Sequence, residues 1–177
     1  MVSLYLYALL IGLTALERLL EVKTSLRNAR WSFDNGGVEY GKGHYPFMVI
    51  LHTGFLFACV GEVYFLEQPF IPLLGWPMLI LAVLCQGLRW WCITTLGQRW
   101  NTRVIIVPGL PRITGGPYRF FSHPNYIVVV LEGIALPLVH SAYWTALAFG
   151  ILNALLLTVR IRCEEKALQD MISGGIT

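Results

Sequence analysis

Five apolar runs dominate the chain and decide what it can fold into. They cover roughly residues 2–20, 47–65, 77–96, 124–139 and 142–161. A helix needs roughly 17–25 mostly apolar residues to cross the hydrocarbon core of a bilayer, where every backbone N–H and C=O must be satisfied inside the protein. The chain is 56% hydrophobic and only 13% charged, against roughly a quarter charged in soluble domains. The expected fold is therefore an all-α integral membrane protein with about five transmembrane helices.

The basic residues predict an orientation, because cytoplasmic segments retain Lys and Arg. Lys23, Arg27, Arg30 and Lys42 follow the first run, and Arg99, Arg103, Arg112 and Arg119 follow the third. Arg160, Arg162 and Lys166 close the fifth, whereas the turns around Glu67–Pro69 and His140–Ser141 carry no Lys or Arg. The pattern predicts an N-terminus outside and a C-terminus in the cytoplasm, with segments 21–45 and 97–123 on the cytoplasmic side of the membrane. The first run has no basic stretch before it and no small-x-small site after it, so it reads as a span and not as a cleaved signal. A net charge of +3 is too small to suggest a nucleic-acid partner. Cys59, Cys85 and Cys92 lie inside runs and Cys163 just beyond one, with neither metal spacing nor a disulfide framework, so no metal is expected. No internal repeat or low-complexity linker divides the chain, and one domain over residues 1–177 is expected.

Several polar residues interrupt the runs. Glu17, Arg18 and Arg89 lie near run ends, where long side chains can snorkel to the interface. Glu132 and Asn153 lie deeper, which leaves two readings: hydrogen bonding between helices, or the lining of a polar cavity. Pro77 and Pro124 suit the first turns of the third and fourth helices, with Ser122 or His123 near the cap of the fourth. Gly109, Pro111, Gly115, Gly116 and Pro117 mark turns, with Val104–Val107 as a short extended piece.

Two stretches carry candidate chemistry: Gly115–Tyr126, "GGPYRFFSHPNY", and Thr158–Leu168, "TVRIRCEEKAL". If the last helix continues past its apolar run, Arg160, Glu164 and Leu168 share one face. Alone, Arg160 and Glu164 also read as a helical ion pair, and His123 as a capping or hydrogen-bonded core histidine.

Together, "GPYRFFSHPNY" and the later "R-x-x-x-EE-x-x-L" resemble the membrane methyltransferases typified by isoprenylcysteine carboxyl methyltransferase, over about residues 97–168. The resemblance implies an S-adenosyl-L-methionine pocket built from the His-Pro-x-Tyr segment, the loop before it and the final helix. His123, Pro124, Asn125 and Tyr126 match the family's cofactor-binding motif. Tyr118 matches an upstream aromatic, and Leu110, Pro111, Arg112 and Ile113 match the short run before that. Glu164 matches the acid expected to hold the cofactor's amino group, and Arg160 the catalytic arginine placed against the acceptor. Arg103, His44 and Glu132 are further substrate-side candidates.

"SLRNARWSFDNGGVEYGKGHYPFMVILH" and "LGQRWNTRVIIVPG" are similar to a bacterial branch that accompanies type III polyketide synthases and O-methylates long-chain alkylpyrones or phenolic lipids. A lipophilic substrate and a functional link to such a synthase are implied. The chain differs from the eukaryotic enzymes in having five spans, Ser122 where arginine precedes His-Pro, and no longer tyrosine-containing tail. The implied acceptor is an acidic hydroxyl or carboxylate of a membrane-embedded lipid, alkylpyrone- or alkylresorcinol-like or isoprenylcysteine-like, and the missing tail weighs against prenylcysteine itself more than against methyl transfer.

Methyl transfer from a sulfonium is an in-line displacement governed by alignment and exclusion of water, without a metal or a covalent nucleophile. An acidic hydroxyl or a carboxylate arrives already ionised. A simple phenol, with a pKa near 10, needs a base, for which His44, Glu39 and His123 are the candidates. Two other functions fit the same features: an NADPH-dependent sterol-type reductase, since related membrane reductases carry HPNY-like segments, and a non-enzymatic lipid-binding or transport module.

Overall fold

Each apolar run folds as a helix in the computed structural model, which describes the backbone of residues 2–174 and the side chains of residues 2–169. The helices are α1 (Val2–Asp34), α2 (Tyr45–Phe65), α3 (Pro72–Leu96), α4 (Pro124–Leu138) and α5 (Tyr143–Gly174). Two short strands, β1 (Val38–Tyr40) and β2 (Val104–Ile106), pair antiparallel with Glu39 opposite Ile105. The protein is an all-α membrane protein in class. Helices α1, α2, α3 and α5 are long and apolar enough to cross a bilayer. The 15-residue α4 reaches only about 22 Å at ~1.5 Å per residue, short of a ~30 Å hydrocarbon core. It packs instead between α3 and α5, with Val128, Ala135 and Leu136 fully covered.

The bundle core joins all five helices through Tyr7 and Ile11, Phe55 and Cys59, Ala82, Leu136, and Phe149. Phe55 and Phe149 stack at 4.1 Å between ring centroids, and the Tyr7 hydroxyl donates to the Leu136 carbonyl at 3.2 Å. Outward positions carry Leu9, Leu13, Phe57, Ile80, Leu84 and Leu155, all exposed. Such a surface is a liability in water and an ordinary one in lipid.

Two boundaries differ from the sequence expectation. Helix α1 runs 14 residues past Leu20, because Glu21, Ser25, Asn28 and Ser32 form a buried polar stripe at helical spacing, of which Ser25, Asn28 and Ser32 bond to the segment after α3. Helix α3 starts at Pro72, after an extended Ile71, so Pro77 lies inside the helix and not in its first turn. Its missing N–H forfeits the bond that this position would otherwise make to the carbonyl four residues back.

The charges near run ends do not snorkel. Arg18 of α1 and Arg89 of α3 both pair with Glu132 of α4, and Arg18 also pairs with Glu21. Arg89 Nε lies 3.6 Å from Glu21, and Gln86 donates to Glu132 at 2.9 Å. Two cations meet two anions, so burial inside the bundle replaces hydration with countercharge. Glu17 likewise turns to accept from the Trp90 indole at 2.5 Å. At the opposite end, Glu62 of α2 accepts from the Trp144 and Thr145 amides at 3.1 and 2.6 Å. It thereby caps the positive end of α5.

Glu132→Ala leaves the buried Arg89 and the partly buried Arg18 to share Glu21 alone. Breaking a buried pair this way costs about 3–5 kcal/mol, so the thermal midpoint in detergent is expected to fall by many degrees. A midpoint equal to that of the wild type would show that the cluster contributes nothing to stability.

Candidate active site

The pocket forms where α3 ends and α4 starts, beside the last turns of α5 and the extension of α1. After α3, Asn28 Nδ2 donates to the carbonyls of Gly97 and Trp100 at 3.0 and 2.8 Å, and the Thr102 amide donates to Ser25 Oγ at 2.9 Å. The polar stripe of α1 thus fixes the chain leading into β2. Arg99 donates to the Pro111 carbonyl at 2.6 Å and Arg112 to the Ser122 carbonyl at 3.2 Å, fastening the loop that follows. Pro124 opens α4 at its first turn, with His123 at the cap position and no side-chain capping bond.

The resulting cavity, about 220 Å³, is lined by Leu110, Pro111, Arg112, Ile113, Tyr118, His123, Asn125 and Tyr126 from the loop and α4. Arg103, Arg160 and Glu164 also line it. Arg160, Glu164 and Leu168 share one face of α5, which continues past its apolar run. The Tyr126 hydroxyl donates to Glu164 Oε2 at 2.5 Å and accepts from Arg160 Nε at 2.9 Å. Arg160 and Glu164 are therefore bridged by a tyrosine and form no direct helical ion pair among the described residues. The His123 ring stacks on Tyr126 at 5.2 Å, and its Nδ1 stands 3.9 Å from Glu164 Oε1. Arg160 is only 7% exposed; its Nη1 meets the Met48 thioether at 2.7 Å. Burial, with Cys92 and Glu164 close by, pushes the Tyr118 phenol above its ordinary range, so that wall stays neutral.

Three expected residues stand elsewhere. Pro124 is buried under the helix start and does not line the cavity. Glu132 is held by Arg18, Arg89 and Gln86 in the interhelical cluster, which resolves its two readings in favour of helix pairing and withdraws it from the substrate side. His44 ends the 3-10 turn Lys42–His44, which packs on α5 outside the cavity lining. Gly41, at φ +63°, makes that approach possible, since a Cβ there would lie 2.6 Å from Cys163 Sγ. Glu39 faces Arg103 at 3.7 Å, and Arg103 also lies over the Tyr45 ring at 5.1 Å. Asn153 is buried in α5, its Oδ1 without a hydrogen-bond partner among the described residues.

Ser32, Leu96, Arg99 and Trp100 also line the cavity and carry no site signal in the sequence analysis. The stripe at 21, 25, 28 and 32 was the available signal for the α1 side.

A helical membrane protein with a polar, aromatic-walled pocket built at one end of the bundle is the class that fold and cavity define. Residues 78–170, from α3 through α5, match the isoprenylcysteine carboxyl methyltransferase (ICMT) family, and the chain belongs to that family. Its members are membrane methyltransferases that generally use S-adenosylmethionine. The chain is 40% identical to YpbQ, an uncharacterized protein of Bacillus subtilis, over 163 residues, covering 92% of this chain and 96% of YpbQ. An uncharacterized protein of Haemophilus influenzae is 27% identical over 157 residues, covering 87% of this chain and 90% of its own.

The cavity fits such a cofactor chemically. Glu164 offers a carboxylate to an ammonium, and stacked aromatic rings suit a sulfonium cation. Asn125 Oδ1 is buried in the cavity wall with no hydrogen-bond partner among the described residues. A buried acceptor of that kind calls for a donor from a ligand.

Proposed function

We propose that the protein transfers the methyl group of S-adenosylmethionine to an ionised oxygen of a membrane-embedded lipid. The observation that carries this reading is the unbroken sequence Glu164–Tyr126–Arg160 along one cavity wall, an acid at one end and a buried guanidinium at the other. Glu164 would take the cofactor's ammonium, with Asn125 as a neighbouring acceptor and Tyr118, His123 and Tyr126 as the ring walls. Leu110, Pro111, Arg112 and Ile113 would cover it from the loop, and Arg103 would line the approach to the acceptor. When bound, the cofactor supplies a methyl group on a positively charged sulfonium. Arg160 would hold the acceptor oxygen by charge-assisted hydrogen bonds, and the burial around it would exclude water from the transfer.

The acceptor is an acidic lipid hydroxyl or carboxylate: alkylpyrone- or alkylresorcinol-like, or isoprenylcysteine-like. The resemblance of segments 25–52 and 96–109 to the polyketide-associated branch favours the first and a link to a type III polyketide synthase. The whole chain works as one domain in this account. Its decisive test supplies purified protein with methyl-labelled adenosylmethionine and a bacterial lipid extract, and follows label into the lipid phase.

The one-sided basic segments favour a cavity on the cytoplasmic side of the membrane. In sealed right-side-out cells, cysteines replacing Gln68 or Tyr143 are expected to react with an impermeant maleimide, and one replacing Gly115 only after lysis. Ser141 is unsuited to this test because it is fully buried. Labelling at Gly115 in intact cells would reverse the orientation.

A further inference from the structure

We infer that the Tyr126 hydroxyl is a positioning group that aims Arg160 at the acceptor, with its own direction set by Glu164; this rests on the methyl-transfer reading above. Arg160 is nine-tenths buried, yet no carboxylate lies within ion-pair distance of it among the described residues. Its neutral partners are the Tyr126 oxygen at Nε and the Met48 sulfur at Nη1. A buried cation without a countercharge is poised for an anion, and a thioether is a weak acceptor that an oxyanion displaces readily. The Nε contact is different. A phenol has one proton to donate, and at Tyr126 it goes to Glu164 Oε2. The oxygen lone pairs are thereby turned toward Arg160, which fixes the guanidinium plane and leaves its Nη edge for the acceptor. Without the carboxylate the hydroxyl is free to rotate; without the hydroxyl, Nε loses its anchor on α4.

Tyr126→Phe isolates this contribution, since the ring stacked on His123 is kept. Binding of adenosylmethionine to purified protein is measured by calorimetry, and transfer of its labelled methyl group to a total lipid extract is measured at saturating cofactor. The expected result is affinity within about threefold of wild type and a rate about 10- to 100-fold lower. In an Arg160→Lys background, which has no Nε, the same change is expected to lower the rate by less than about threefold, because coupled residues are non-additive. An unchanged rate, equal losses in affinity and rate, or losses that multiply in the lysine background would overturn the inference. Wild-type protein that binds no adenosylmethionine would overturn the underlying reading, and this inference with it.

Discussion

Arg160→Ala is expected to leave adenosylmethionine affinity nearly unchanged while methyl transfer falls about 30- to 1,000-fold. The loss corresponds to roughly 2–4 kcal/mol, the value of a charge-assisted contact to an anion at an enclosed site. The guanidinium is buried, reaches the cavity from α5 and is separated from Glu164 by the Tyr126 hydroxyl. Removing it therefore need not disturb the cofactor side. Lysine is expected to restore activity only in part, since it supplies the charge without the planar fork. Calorimetry and initial rates on the same preparations check this. A small loss shared equally by affinity and rate would reduce Arg160 to a packing role.

Glu164→Gln is expected to act on the other side, weakening adenosylmethionine binding about 10- to 100-fold, as for loss of a hydrogen bond to a charged group. Glutamine keeps an oxygen that can accept from Tyr126, so the change removes charge with little change of shape. Calorimetric affinity equal to wild type, with the thermal midpoint preserved, would take Glu164 out of the cofactor site.

Much of this architecture was legible in the residues, for identifiable reasons. Long apolar runs must satisfy their backbone polar groups internally, which favours helix, so all five helices could be placed, the short α4 included. The spacing of Arg160, Glu164 and Leu168 put them on one face once α5 continued, and the cavity lies on that face. His123, Asn125 and Tyr126 came together with them because Pro124 begins α4 at the expected position.

What the residues did not disclose depends on distant partners. Strand β1 has three residues, and its pairing with β2 spans more than sixty positions, too short and too remote for a periodic signal. Arg18, Arg89 and Glu132 read as separate polar interruptions, and only packing shows them to be one cluster. The Tyr126 bridge was equally hidden: an i, i+4 arginine and glutamate suggest a direct pair, but the buried phenol from α4 intervenes. His44 and Glu132 were drawn toward the substrate by their chemistry alone, and the fold places neither in the cavity lining.

The central claim is methyl transfer from adenosylmethionine to a membrane lipid. It is tested most directly by incubating purified wild-type protein with methyl-labelled adenosylmethionine and bacterial lipid extract, with Arg160→Ala in parallel. The account predicts label in an organic-soluble product with wild type and a deep loss with the variant. A wild-type protein that binds NADPH, fails to bind adenosylmethionine and leaves the lipid phase unlabelled would contradict it.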